Sequence, residues 1–421
     1  MQQKRFLRRI VIFTLSLLFV LFVSEIITGK FLPQKTFDSA YKDAISCFEE
    51  DDTVLFKLKP KCSFLFENFD TGEKFKVTTN NSGYRGSDFE SVKKKGEKRI
   101  LVEGDSFVLG FGVKDDEVFT NVLEKRLNEK APAGSGQTSV INAGYQGGFG
   151  PDGYFLHLKT RGMMLEPDMV IFSIFVYNDF TDLENSEWFG EGIYGEPDKI
   201  TSRKVRIDGN GYLLPIDIPF IYRLKFFRNS HLAVWTYNGT INLGEKFKTL
   251  RDLIYYKFVK WEAPSGKVSD SNFWGTYFSN CIFGDNCHRK AEHLFSDLTG
   301  LIKASKQITD RAYNDGVNRF VVLIIPSDFQ IYSDVIEKYK TDTGIPYHPW
   351  ELSNPNPQRK LKEFFDKEGI KYIDLLPLIR EQEEERLYYQ KDGHFNPKGH
   401  AFTAGVIYNW IRENYGSISA N

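Results

Sequence analysis

Apolar residues fall along this chain in three patterns, and each predicts a different kind of element. The first is a run from Ile10 to Val23 that resumes after Ser24 and Glu25 and reaches Ile27. The second is a set of five short runs, Arg99–Glu103, Ser139–Asn142, Met169–Phe175, Arg319–Ile325 and Lys371–Leu375. Short, β-branched runs with little polar alternation are those of strands buried on both faces. The third is helical spacing over Glu117–Glu129, His288–Asn314, Gln358–Glu368 and, after Pro397, Ala401–Ile411. Strands that alternate with helices imply a parallel sheet with helices on both faces.

Two stretches lie outside that alternation. Residues 30–98 hold strand-like pieces at Val54–Leu58 and Lys74–Thr79 and a turn at Asn80-Asn81-Ser82-Gly83, and predict a small β-rich extension. Residues 184–286 interrupt the third and fourth strands with Phe, Tyr and Trp among polar turns, and predict an insertion. The chain is thus expected to divide into an N-terminal segment 1–29, the extension 30–98 and a main domain 99–415.

The first segment bears on location. Lys4, Arg5, Arg8 and Arg9 precede the apolar run. Ile10–Gly29 is about 20 residues, enough to cross a bilayer as a helix. A basic flank stays in the cytoplasm, so a single-pass anchor would leave the rest of the chain outside. The uncharged part, Ile10–Val23, is about 14 residues, which is also the length of a signal-peptide core. No Ala-x-Ala cleavage site follows it, which favours an anchor that is retained.

With 421 residues and 41% hydrophobic content, the chain can bury a large core and a smaller second one. Its net charge of −1, with dispersed basic residues, gives no nucleic-acid footprint. The 37 Phe and 21 Tyr predict a Phe-rich core, with some rings left to line a carbohydrate cleft. Cys47 and Cys62 lie fifteen apart, and Cys281 and Cys287 six apart. Two pairs so unequal make a poor zinc pattern, and in an oxidising compartment they read as two local disulfides. Nothing in the sequence requires a metal or a cofactor.

Candidate chemistry sits at the ends of the predicted strands. Gly104-Asp105-Ser106 follows the first, where open α/β sheets carry their sites. The same tripeptide also makes an ordinary turn. Near the far end, Asp392-Gly393-His394 stands just before the last helix. A serine hydroxyl needs a base to take its proton, and an imidazole oriented by a carboxylate suits that task. Val140-Ile-Asn-Ala-Gly144 ends the second strand in a glycine-rich turn, and Asn178-Asp179 follows the third. A glycine N–H and an asparagine amide are suitable donors to an oxyanion.

These four elements, in this order, resemble the signature blocks of the SGNH (GDSL-type) hydrolase superfamily over roughly residues 99 to 411. The resemblance implies a flavodoxin-like three-layer α/β/α sandwich around a five-stranded parallel sheet. It implies Ser106 as nucleophile, Gly144 and Asn178 as oxyanion donors, and His394 with Asp392 as base and orienting acid. Most of the superfamily places two residues between acid and histidine, whereas here only Gly393 intervenes and Lys391 occupies the usual acid position. The tighter spacing is similar to that of the membrane-associated branch acting on bacterial exopolysaccharides, such as the alginate acetylation proteins. The implied activity is an extracytoplasmic esterase acting on acyl, chiefly O-acetyl, esters of envelope or extracellular glycans, alongside polysaccharide-modification partners. An O-acetyltransferase using the same acyl-enzyme is the alternative. A non-catalytic glycan-binding or assembly protein on the same fold is the alternative from another class.

Overall fold

All five predicted strands form, and they lie in one sheet. The computed structural model describes residues 2–34, 36–38, 46–131, 136–145, 149–184, 186–203, 205–216, 218–241, 289–313, 315–335, 355–382 and 385–415. The chain divides into two compact units, Met1–Ala44 with Leu214–Val268, and Ile45–Leu213 with Ser269–Asn421.

The larger unit begins with two hairpins. Strand β1 (Phe48–Asp51) pairs with β2 (Leu55–Leu58), and β3 (Ser63–Glu67) with β4 (Lys74–Thr78), both antiparallel. A disulfide joins Cys47 to Cys62 across the start of the two hairpins, with a Cα–Cα distance of 5.8 Å. The hairpins bury Phe48, Phe56, Phe64 and Phe66. They dock through edge-on ring contacts, Phe56 with Phe149 at 5.0 Å and Phe66 with Phe111 at 4.8 Å. This is the expected β-rich extension. The predicted Cys281–Cys287 bridge lies outside the described residues.

The sheet consists of β5 (Lys98–Gly104), β6 (Thr138–Gly144), β7 (Met169–Phe175), β8 (Phe320–Ile325) and β9 (Lys371–Asp374). All are parallel, in the spatial order β9-β8-β7-β5-β6. That is the flavodoxin-like order expected, and its switch point lies between β5 and β7. Alternation along the strands sorts the core into two layers. Ile100 and Val102 pack with Phe119 and Leu123 of α3 (Phe119–Glu129) and with Ile407 and Ile411 of the C-terminal helix (Pro397–Tyr415). Leu101 points the other way, toward Tyr154 of helix Pro151–His157, Leu301 of Arg289–Tyr313 and Phe365 of Asn356–Glu368. Helices on both faces explain why the strands carry little polar alternation.

Element boundaries moved for local reasons. The predicted helix from Glu117 starts at Phe119, because Asp115–Glu117 closes as a separate 3-10 turn and Val118 is extended. Leu375, expected in the last strand, opens a helix instead, since Asp374 caps it by accepting the Leu376 N–H.

The smaller unit holds α1 (Gln2–Phe31), long and apolar enough by composition to cross a membrane. The predicted insertion is split. Its first part forms a hairpin, Ser186–Phe189 with Lys199–Arg203, in the larger unit. Its stretch Leu214–Val268 groups with α1.

Candidate active site

Strand β5 ends in a turn too tight for side chains. A Cβ on Gly104 would lie 2.4 Å from Val108 Cγ2 and 2.9 Å from the Cβ of Ser173. Asp105 then caps a short helix, α2 (Ser106–Leu109), its Oδ1 accepting the Phe107 N–H at 2.9 Å. Ser106 therefore stands at the first helical position, at the carboxyl end of the sheet beside the switch point. The end of β6 seats this helix. A Cβ on Gly144 would fall 2.1 Å from the Leu109 nitrogen, so only glycine permits the approach. The Gly144 N–H donates to Asn142 Oδ1 at 3.0 Å. Asn142 Nδ2 in turn donates to the Val108 carbonyl at 2.6 Å and to Thr120 Oγ1 at 3.0 Å.

The second loop is a hairpin-like turn. Tyr388 and Phe395 form an antiparallel bridge, the Tyr389 N–H donates to the His394 carbonyl at 3.0 Å, and the Asn396 N–H donates to Leu387 O at 3.0 Å. Asn396 Nδ2 holds the base of the turn through the Arg386 and Tyr388 carbonyls. At the tip, Ser106 Oγ lies 2.8 Å from His394 Nε2, and His394 Nδ1 is hydrogen-bonded to Asp392 Oδ1. The same Oδ1 accepts the His394 backbone N–H at 2.9 Å. An aspartate bonding the N–H two residues ahead is an Asx turn, and it explains how an acid one residue nearer than usual still reaches the ring. Burial works to raise the Asp392 carboxyl. The hydrogen bonds and charge of His394 outweigh it, and the carboxyl sits below its ordinary range.

Ser106, His394 and Asp392 are thus brought together by the fold as a hydrogen-bonded chain. Such an arrangement can take the proton from a hydroxyl as the oxygen attacks an acyl carbon. No protein-family model and no curated protein matches this sequence. Solved structures do match it. One is a lipase/acylhydrolase from Enterococcus faecalis, 10% identical, with a TM-score of 0.35 over 75% of this chain and 96% of that one. Another is a lipolytic protein of the G-D-S-L family from Desulfitobacterium hafniense, 10% identical, TM-score 0.32, over 74% and 98% of the two chains. A third is an acetyl xylan esterase, 10% identical, TM-score 0.33, over 74% and 99%.

The surroundings of the histidine come from distant parts of the larger unit. Its ring is flanked by Phe107 at 5.0 Å, Phe111 at 5.2 Å and Phe69 at 6.0 Å. Phe69 belongs to the extension, in the loop between β3 and β4. The next residue fastens the turn that carries His394: Asp70 Oδ1 accepts the N–H groups of Gln390 at 3.0 Å and Lys391 at 3.2 Å. Arg85, also from the extension and fully buried, donates to the carbonyls of Leu109, Gly110 and Val113 and pairs with Asp115 at 2.8 Å. It fixes the loop that leaves α2.

Two buried carboxyls lie close by. Asp328, just after β8, lies against Gly393, whose Cβ would meet Asp328 Oδ2 at 3.5 Å. Burial pushes it up to about 6, helped by Asp392 and opposed by the Phe329 N–H, Arg386 and His394. Burial likewise pushes Asp105 up to about 6, against the pull of the Phe107 N–H and of His394. Phe69, Asp70 and Asp328 carried no local sequence signal, because each reaches the site from a segment remote in sequence.

Asn178 follows β7 and is half-buried. Its Nδ2 donates to Asp182 Oδ2 at 2.9 Å and has a second N–H to give. Asp179 beside it is buried and accepts the Phe175 N–H at 2.8 Å and the Tyr154 hydroxyl at 2.9 Å. Burial, then the charges of Asp105 and Asp182, hold its carboxyl well above the usual range. His400, at the end of the Asp392–His400 segment, is fully buried against Phe119, and burial pushes it down to about 3. It packs as a neutral ring.

Proposed function

We propose that this protein is a serine esterase of the SGNH type, held at the membrane by α1 and acting outside the cytoplasm on O-acetyl or related acyl esters of glycans. The observation that carries the reading is the unbroken chain from Ser106 Oγ through His394 to Asp392. Ser106 Oγ attacks the acyl carbon while its proton passes to His394 Nε2, and the carbonyl electron pair moves onto oxygen. Asn178 Nδ2 and backbone N–H groups at the strand ends receive that oxyanion. Gly144 joins them only if its N–H leaves Asn142 Oδ1. Collapse breaks the bond to the alcohol, which takes the proton from His394 and departs. Water, activated by the same histidine, then releases the acid from Ser106.

The extracytoplasmic placement is supported by the four basic residues ahead of the apolar run. The Cys47–Cys62 bridge is also what an oxidising compartment allows. In that location glycan esters are accessible substrates.

The test is turnover of a chromogenic acetyl ester by the full chain and by Ser106→Ala. Loss of the nucleophile in such a triad lowers kcat by on the order of 10⁶, and the unfolding temperature should not change. Wild-type turnover in the variant would overturn the serine mechanism. Adding an oligosaccharide acceptor to the assay separates hydrolysis from transfer.

A further inference from the structure

The smaller unit contains a feature that catalysis does not use. Glu25 sits near the outer end of α1, one turn inside the last residue of the expected span. Its carboxylate accepts three hydrogen bonds from one short stretch: Ser230 Oγ at 2.6 Å, the His231 N–H at 2.7 Å and the Leu232 N–H at 3.0 Å. Those donors form the start of a helix over residues 231–241, so the acid is met by unsatisfied N–H groups and by the positive end of the helix dipole. The attachment continues beyond Glu25. The Gln34 N–H donates to His231 Nδ1 at 2.9 Å, Phe37 N to the Arg228 carbonyl at 2.8 Å, and Asp38 N to Asn229 Oδ1 at 2.9 Å. Arg228 lies over the Phe37 ring at 4.5 Å.

The outward side of this stretch is unusual for a water-facing surface. Phe226 is 95% exposed, and Phe220, Phe227 and Trp235 of the same segment are exposed as well. Between Ile218 and Ile241 the sequence carries Arg223, Lys225 and Arg228 and no Asp or Glu, in a chain whose net charge is −1. Aromatic rings among basic residues are the composition of a membrane–water interface. The depth agrees. If α1 spans from Ile10, a rise of 1.5 Å per residue puts Glu25 about 22 Å along the helix, in the last quarter of a hydrocarbon core about 30 Å thick. A segment packed from Glu25 outward therefore lies at headgroup level.

We propose that residues 218–241 form an interfacial clasp: they seat Phe226, Phe227 and Trp235 in the outer leaflet, set Arg223 and Lys225 against anionic headgroups, and fasten α1 through Glu25. The occupant of the exposed face is an anionic lipid bilayer, the surface with which α1 is already continuous. This rests on reading α1 as a retained anchor. A segment due for removal would take Glu25 with it and leave the start of helix 231–241 without its acceptor.

The full chain, reconstituted in vesicles of phosphatidylcholine and phosphatidylglycerol, is irradiated with a diazirine-bearing phospholipid and its peptides are mapped by mass. The peptide containing Phe226 and Phe227 should carry lipid adducts. Replacing both rings by serine should cut its adduct yield about tenfold or more, since each buried phenyl is a large part of the apolar contact. Adducts should persist on peptides of α1, and turnover of the acetyl ester should be unchanged. Omitting phosphatidylglycerol should lower the yield. The same spectra separate the two readings. A mature protein lacking residues before about Gly29 would overturn the retained anchor. An intact α1 with adducts there and none over 218–241 would overturn the clasp alone. Crosslinking of this peptide to a second protein chain in place of lipid would make the face a protein interface and would equally overturn it.

Discussion

Asp105 shows how a single residue beside the site can work against stability. Its carboxyl is buried, accepts one backbone N–H, and is pushed up to about 6. In the unfolded chain it would titrate near 3.9. Between those values the folded state binds more protons than the unfolded one, so the contribution of Asp105 to stability is most favourable below about pH 4 and declines as pH rises through about 6. The difference is on the order of 3 kcal/mol above that window. Asp105→Asn keeps an acceptor for the Phe107 N–H and removes the charge. It should therefore unfold at a higher temperature than the wild type above pH 6, with the gain vanishing below pH 4. Thermal unfolding across that range checks this, and identical curves at pH 7.5 would mean that the charge carries no penalty.

At the scale of elements, the site is two turns held in register. One is seated by the bare backbone of Gly104 and Gly144, the other by Asp70 from the extension. Asp70→Ala leaves the core packing intact and frees the N–H groups of Gln390 and Lys391. Small misplacement of a catalytic group costs up to about 10²-fold in rate. The variant should thus lose roughly ten- to a hundredfold in kcat, with KM little changed and stability lower by only about 1 kcal/mol. Steady-state kinetics on an acetyl ester decides it: an unchanged kcat would mean the turn holds itself. The same division explains what the sequence revealed. Ser106, Asp392 and His394 were legible because each lies in a short motif at a predicted strand end or helix start. The five sheet strands were legible because burial on both faces removes polar residues. Phe69, Asp70, Arg85 and Asp328 were not, since their roles depend on which remote segments the fold brings together. The helix boundary at Leu375 was missed because Asp374 is as plausible at a strand end as in a cap.

For the whole molecule, the Cys47–Cys62 bridge ties the two hairpins, and the loop between β3 and β4 brings Phe69 to His394. By the chain-entropy relation a fifteen-residue loop contributes about 3 kcal/mol. Replacing both cysteines by serine should lower the unfolding temperature, and activity at elevated temperature should fall with it because Phe69 and Asp70 ride on those hairpins. Non-reducing peptide mapping of exported protein should show the bridge, and free thiols at both positions would contradict it.

Arg85 and its carbonyl partners have a consequence for how the protein matures. The hairpins of the extension emerge from the ribosome before the sheet, yet Arg85 finds its carbonyl partners only when Leu109–Val113 has followed, and Phe56, already beside Phe48, meets Phe149 later still. Asp70 must wait longer still, for Gln390 and Lys391 near the opposite end of the chain. A chain still emerging from the ribosome would thus display the Ser106 turn long before the turn that carries His394 has been made. The hydrogen-bonded chain from Ser106 can close only once the Asp392–His394 turn has been added, and any product truncated before His394 lacks it.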